Sequence, residues 1–417
     1  MQRFVFKYYV FLSFLIGYAQ AQTLTFKDAL KVASTQNPRL KAALYSVQII
    51  RADSTTAALR PNPSFHNETM QTVNNDNLAP HTAWLDGLNR QTMFTLTKPF
   101  QLAGQRQKKI DLASKNINVA NKDYFNLERQ VLTDVANKWM EVYTAHKELE
   151  MISIAKNNID SLSAINQVRL NNQVITQTDY MRTQLLANEY HLKQKNAQQK
   201  LNNKLKELAY LLGNPDFKDI DLQDEFVVNV HIDNDSLLQK LVNQRSDIQT
   251  AQSSIKAANS NIALQKSLAI PIPEFGIMWN PQNSINYIGF TMTFDLPLFS
   301  RNQGEIKKAY AQKSQNEATY QAVKDKAVTE IQTAYASYLT QKENTKQYTD
   351  SLLQQSQDIL NNVQYAYLKG GTSLIDLLEA QRSWLDTQQQ YYESLQNYRE
   401  SYIQLLYATG LINQIIL

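Results

Sequence analysis

Pro271-Ile272-Pro273-Glu274-Phe275 repeats an earlier run, Pro61-Asn62-Pro63-Ser64-Phe65, at an offset of 210 (271 − 61). Other landmarks recur in step. Pro99 returns as Pro297 (offset 198), Asp179 as Asp376 (197) and Leu212-Gly213 as Thr409-Gly410 (197). The order between them is helix, strand pair, very long helix, hinge, helix, and then the same again. A period near 200 is too long for a solenoid repeat and reads as a duplicated half-molecule. The boundaries follow: a leader at 1–21, a first repeat at 22–213, a linker at 214–234 containing Pro215, and a second repeat at 235–417.

The clearest strand signal is Ile288 to Phe299, where Phe290, Met292, Phe294, Leu296 and Leu298 alternate with Thr291, Thr293 and Asp295. Period 2 gives one apolar and one polar side. Gln91 to Phe100 repeats the scheme, with weaker partners at Phe65 to Val73 and Phe275 to Trp279. Asn280 to Ser284 has a turn composition, and a longer polar link, Asn74 to Asn89, joins the first pair. Trp84, Trp279 and Tyr287 fall near strand ends, where the aromatic girdle of a membrane barrel would lie. A soluble sandwich is the competing reading, but four strands are few for this length.

The helices are the larger signal. Leu24 to Gln36 and Pro38 to about Leu59 read as short helices separated by an Asn37-Pro38 cap and restart. Gln105 to Leu170 and Glu305 to Leu368 contain neither proline nor glycine. At ~1.5 Å per residue each run would extend on the order of 95–100 Å, more than a compact domain needs. Their apolar stripes are thin, as in Ala327, Ile331, Ala334, Tyr338 and Leu339. This suits a wall one helix thick, wet on both sides. Hinges at Asn171 to Asp179 and Lys369 to Asp376 lead into return helices closed by Gly213 and Gly410.

Arg3 and Lys7, the apolar run Val10 to Ile16 and Ala19-Gln20-Ala21 read as a secretory signal peptide, so the mature chain is expected outside the cytoplasm. Cysteine is absent, which excludes disulfides, thiolate metal sites, thiol catalysis and a lipid anchor on a cysteine. The net charge of +4 includes two charges from the leader, so the remainder is near neutral and gives no reason to expect a nucleic-acid partner. No run after residue 21 reaches the ~20 apolar residues of a membrane helix, so any membrane span must be a β-barrel. His66, His81, His146, His191 and His231 are scattered, and no catalytic motif appears. Neither an enzyme, a cofactor nor a bound metal is expected.

The duplication, the opening Leu24-Thr25-Phe26-Lys27-Asp28-Ala29-Leu30 with Asn37-Pro38-Arg39-Leu40, and the closing Gly371 to Gln381 together resemble the outer-membrane efflux protein family, the TolC-like channels. Pro99 to Arg106 is similar to the strand-to-helix junction of its heavy-metal, CzcC/CusC-like branch. The resemblance implies a mainly α protomer with a small membrane β-barrel portion. Three protomers would supply four strands each to a twelve-stranded barrel in the outer membrane, and their long helices would form a periplasmic α-barrel with the linker at its equator. It also implies a homotrimer surrounded by outer-membrane lipid, a periplasmic adaptor and an inner-membrane RND-type pump as partners, and export of metal cations or small toxic compounds. Multidrug efflux and type I protein secretion remain alternatives, as do a periplasmic adaptor and a structural coiled coil. An adaptor would need a helical hairpin set between lipoyl-like β halves and a glycine-rich β content, which the chain lacks, and a structural coiled coil leaves the strand pairs unexplained.

The resemblance places acidic gate residues at Asp376 and Glu379, three apart on one helix face. Ser373 and Asp376 also have capping-box spacing, so capping competes with gating for Asp376, and a solvated face competes for Glu379. Tyr367 and Asp179 match positions that tie neighbouring helices at a closed tip, with simple packing the competing role for Tyr367. Thr372 stands where an arginine often joins that network. Gly370, Gly371 and Thr372, with Asn172 and Gln173 of the first hinge, would form the tip that meets the adaptor. The first hinge lacks glycine, so the two tips need not be equivalent.

Overall fold

The computed structural model describes residues 23–73, 75–223, 235–282 and 285–415. The expected signal peptide, His231, the later part of the linker and Asn283-Ser284 lie outside the described residues.

The element order is α1 (Phe26–Gln36), α2 (Pro38–Ala58), β1 (Ser64–Gln71), β2 (Arg90–Pro99), α3 (Gln105–Asn171) and α4 (Gln177–Leu212). The second round is α5 (Asp235–Gln244), α6 (Ser246–Leu268), β3 (Glu274–Gln282), β4 (Ile285–Thr293), α7 (Gln303–Gln347), α8 (Leu353–Leu368) and α9 (Leu374–Thr409). Asn37 does cap α2, its Oδ1 accepting from the N–H groups of Arg39 and Leu40. Leu24 is not helical as expected. Thr25 takes the N-cap of α1, and Leu24 instead bridges to Ile220.

The strands form one antiparallel sheet in the order β1-β2-β3-β4. Phe94 pairs with Trp279 and Leu96 with Ile277, so the two repeats meet at the centre of the sheet. Alternation gathers Phe65, Phe94, Leu96, Phe275, Ile277, Trp279, Ile288, Phe290 and Met292 on one side. That side is uncovered: Phe290 is 87% and Ile288 75% exposed.

Two strand limits differ from the sequence reading. β4 ends at Thr293 rather than running to Phe299, because its pairing with β3 ends at Glu274, where Pro271 and Pro273 lead in, and Pro297 has no N–H to donate. β3 runs on into the stretch read as a turn, as far as Gln282, and includes Pro281. β2 pairs with β3 only as far as Trp279, so the proline costs no ladder bond on that side.

The helical wall is thin. Ala113, Ala120, Ala257, Ala258, Ala309 and Ala327 are buried, and small side chains of this kind let helix backbones approach closely. Larger residues form three clusters. The broadest joins Phe26, Leu30, Leu132, Trp139, Leu208, Ile403 and Leu406. A second, nearer the hinges, joins Met151, Ile159, Tyr190, Tyr367, Leu377 and Trp384. A third seats α5 and α6 against α7 and α9 through Val242, Ile248, Ile331 and Ala408.

α3 is continuous over 67 residues. Its counterpart is not, contrary to the unbroken run expected: a π-helical turn at Tyr348–Leu352 separates α7 from α8. Just before it, the buried Thr345 hydroxyl bonds to the Gln341 carbonyl at 2.9 Å and meets the Ser394 hydroxyl of α9 at 2.9 Å. Back-bonding of this kind competes with the helix ladder and bends it.

Candidate gate at the helical tip

Both hinges reverse the chain by the same bonds. In the first, the N–H groups of Asn172, Gln173 and Val174 donate to the carbonyls of Val168, Leu170 and Arg169. In the second, Lys369, Gly370 and Gly371 donate to Tyr365, Tyr367 and Ala366. Every donor and acceptor is shifted by 197 (370 − 173, for instance). The left-handed residue is Gln173 (φ 60°) in one and Gly370 (φ 77°) in the other. The missing glycine therefore leaves the backbone path of the two hinges alike. Asn172, Gln173, Gly370 and Gly371 are exposed and Thr372 is half-buried.

The helices that leave the hinges start alike too. Thr176 accepts from the Asp179 N–H at 3.1 Å, and Ser373 from the Asp376 N–H at 3.2 Å. The second cap is the fuller one. Asp376 Oδ2 accepts from the Thr372 hydroxyl at 2.6 Å, the Ser373 hydroxyl at 2.7 Å and the Ser373 N–H at 3.0 Å. These bonds, that of Thr372 foremost, hold the Asp376 carboxyl below the usual carboxylate range. Thr372, at the arginine position of the resemblance, thus serves the carboxylate beside it.

Along α9, Leu374, Leu377 and Ala380 are buried while Asp376 and Glu379 are exposed on the opposite side. Glu379 lines an open groove of about 730 Å³ together with Arg182 of α4 and with Arg382 and Asp386 of its own helix. The two carboxylates therefore differ in surroundings: Asp376 sits among hydroxyls, Glu379 among two arginines and an aspartate.

Tyr367 and Asp179 are joined indirectly. The Tyr367 hydroxyl donates to Asn166 Oδ1 at 2.8 Å, Asn166 Nδ2 donates to the Thr183 hydroxyl at 2.9 Å, and that hydroxyl donates to the Asp179 carbonyl at 3.0 Å. Asn166 and Thr183 are fully buried, and the Arg169 guanidinium lies 4.7 Å from the centre of the Tyr367 ring. The relay ties α8 to α3 and α4 within one protomer. Asn166, Thr183 and Arg169 were missed in the sequence. Asn166 stands in the polar interior of a long amphipathic run, where nothing separates it from neighbouring surface amides.

Residues 237–411 match the Outer membrane efflux protein family. Over 198 residues the chain is 25% identical to the probable outer membrane lipoprotein SilC of Salmonella typhimurium, covering 42% of this chain and 40% of that protein. The aligned region thus spans well under half of the curated relative's length. Among solved structures, CusC is similar over 92% of each chain, with a TM-score of 0.75 at 19% identity. The open state of the Neisseria gonorrhoeae MtrE outer membrane channel is similar over 92% of this chain and 88% of its own, with a TM-score of 0.75 at 16% identity. Residues 237–411 thus resemble the outer membrane efflux protein family, and the chain shares the fold of such channels over 92% of its length.

Proposed function

We propose that three copies of this chain form the exit duct of a tripartite efflux system. The observation that carries this reading is the open sheet. β1 and β4 each leave an edge unpaired, and one side carries most of the sheet's large apolar side chains, many of them exposed. A sheet survives in lipid only when closed, and four strands cannot close on themselves. Among the described residues no helix is long and apolar enough to cross a membrane, so the sheet is the part suited to the bilayer. Pairing β4 of one copy with β1 of the next closes it, and twelve strands in three copies agree with the family resemblance. The long helices then extend the duct into the periplasm as a thin-walled tube. The chain acts as a conduit rather than an enzyme. A periplasmic adaptor would meet the tip at Asn172, Gln173, Gly370, Gly371 and Thr372, and an RND-type pump would supply metal cations or small toxic compounds.

Asp376 is the principal gate carboxylate in this reading, with Glu379 second and Tyr367 and Asp179 holding the tip closed. Three copies of an exposed carboxylate around one axis attract cations and resist anions. Purified protein in planar bilayers should conduct with cation selectivity. Asp376→Asn should lower it more than Glu379→Gln, since Arg182 and Arg382 already offset Glu379. Because hydroxyl bonds keep Asp376 ionised, selectivity should persist below the pH at which ordinary carboxylates protonate. Selectivity unchanged in the double variant would reject the gate. Recovery of the protein from the soluble periplasm would reject the channel.

A further inference from the structure

The two hairpins of the sheet are closed very differently. Gln282 pairs with Ile285 a short way along the chain, whereas β1 and β2 are joined by residues 72–89. The long loop is built from within. The Asn89 side chain is buried, accepts from the Ala79 N–H at 2.7 Å, and donates to the Thr82 hydroxyl and the Ala83 carbonyl at 2.9 Å each. Trp84 Nε1 donates to the Thr72 carbonyl at 2.8 Å. These polar ties run inward, and the apolar side chains are left outside: Val73 is 86%, Leu85 75%, Trp84 48% and Leu88 47% exposed. Water alone gives a loop no reason to order itself around polar groups and display its apolar ones.

One contact says to which side the loop leans. Gln71 Nε2 donates to the Trp84 carbonyl at 2.6 Å. Alternation along β1 puts Gln71 on the same side as Phe65, which pairs with Leu96 on the apolar side of the sheet. Trp84 is therefore drawn toward the side that carries Phe94, Ile277, Trp279 and Phe290, beyond a polar row of Thr69, Gln71, Arg90 and Thr92.

We propose that the 72–89 loop is a lipid-interface anchor, folded down outside the barrel so that Val73, Trp84, Leu85 and Leu88 enter the boundary between headgroups and acyl chains. The occupant is lipid because the Gln71–Trp84 bond brings the loop to the sheet side assigned to lipid, the reading on which this inference rests. A tryptophan whose N–H is already bonded, with its ring exposed, is suited to that boundary.

The chain has no cysteine, so a single introduced one can be labelled without background. Leu85→Cys, Phe290→Cys and His66→Cys, the last on the polar sheet side, would each carry an environment-sensitive fluorophore in full-length protein reconstituted into phosphatidylcholine vesicles. At Leu85 we expect blue-shifted emission, quenched more by a nitroxide on the lipid headgroup or upper acyl chain than by a water-soluble nitroxide. His66 should show the reverse, and Phe290 should follow the lipid nitroxide. Leu85 quenched mainly from water, or from neither side because the loop packs across the barrel mouth, while Phe290 responds to lipid, would overturn the anchor alone. If Phe290 also ignores the lipid nitroxide, the membrane-barrel reading fails and the anchor with it.

Discussion

The two repeats fasten their short helices to their long ones at equivalent places with unequal chemistry. In the first, Arg39 at the start of α2 meets Asp134 of α3 at 3.0 Å, with both side chains about half exposed. In the second, Arg245, just ahead of α6, is buried and held by Asp247 at 2.7 Å, Glu330 at 2.6 Å and the Ala408 carbonyl at 2.9 Å. Arg129, also buried, reaches from α3 of the first repeat to Asp247 at 3.1 Å and lies 4.5 Å from the centre of the Tyr407 ring. Each junction is also touched by the glycine that closes its return helix. A Cβ on Gly213 would strike the Gln36 carbonyl oxygen, and one on Gly410 would touch Arg245. Duplication has kept the path of the backbone here while one junction stayed exposed and the other became a charge cluster around buried arginines.

Asp247 should therefore matter far more than Asp134. Removing one partner of a buried ion pair costs about 3–5 kcal/mol, because it strands the remaining charge. Removing an exposed partner costs less than about 1 kcal/mol. Asp247→Asn should lower the melting temperature or denaturation midpoint severely, and Asp134→Asn barely. Equal losses would mean that the burial difference carries no energetic weight. The pH dependence follows from the carboxyl itself. Burial raises its pKa, but the Arg245 hydrogen bond and the charges of Arg129 and Arg245 outweigh that and hold it at about 2. A depressed value contributes stability in full above the ordinary carboxylate pKa and loses it as pH falls toward 2. The gap between wild type and Asp247→Asn should accordingly narrow below about pH 4.

The coils below the junctions differ next. Tyr367 of the second coil bonds to Asn166 of the first, while Leu170, its counterpart 197 residues earlier, has no hydroxyl to offer. Asn166→Ala leaves the buried Tyr367 hydroxyl without its acceptor and the buried Thr183 hydroxyl without its donor, at a cost of about 1–3 kcal/mol. Tyr367→Phe removes one end only and should cost less. The double variant should fall short of the sum of the two, as expected for groups in one network. Full additivity, measured by amide exchange around residues 166 and 183, would show that the relay is not cooperative.

Much of this was legible in the chain. Proline positions, period-2 runs and two helical stretches without proline or glycine report local preference, and local preference decided α2, α3 and the existence of all four strands. What escaped the sequence depended on distant partners. β4 stops where β3 gives out, Leu24 leaves its helix to bridge Ile220, and the π turn follows a contact between Thr345 and Ser394. The candidate site divides in the same way. The caps at Asp179 and Asp376 could be read from spacing, whereas Asn166 and Thr183 become distinctive only once three helices surround them. Arg129 and Arg245 look like any surface arginines until the fold buries them on either side of their common partner, Asp247.

The smallest expected effect isolates the backbone. Gln173 and Gly370 occupy the same left-handed position in hinges that share their bonds. A side chain at Gly370 would meet nothing within 4 Å, so packing does not enter. A non-glycine residue in this region is strained by roughly 1–2 kcal/mol, whereas glycine pays with a more flexible unfolded chain. Gly370→Gln should therefore loosen its hinge by about 1 kcal/mol, and Gln173→Gly should tighten the other by less than that, since the entropy of glycine offsets part of the relief. The Val174 and Gly371 N–H groups close matching rings, so their exchange rates report the two swaps on one scale. Faster exchange at Gly371 with slower exchange at Val174 fits a shared backbone carrying unequal strain. Shifts in the same direction at both would mean that the hinges are set by what packs around them rather than by their own dihedrals.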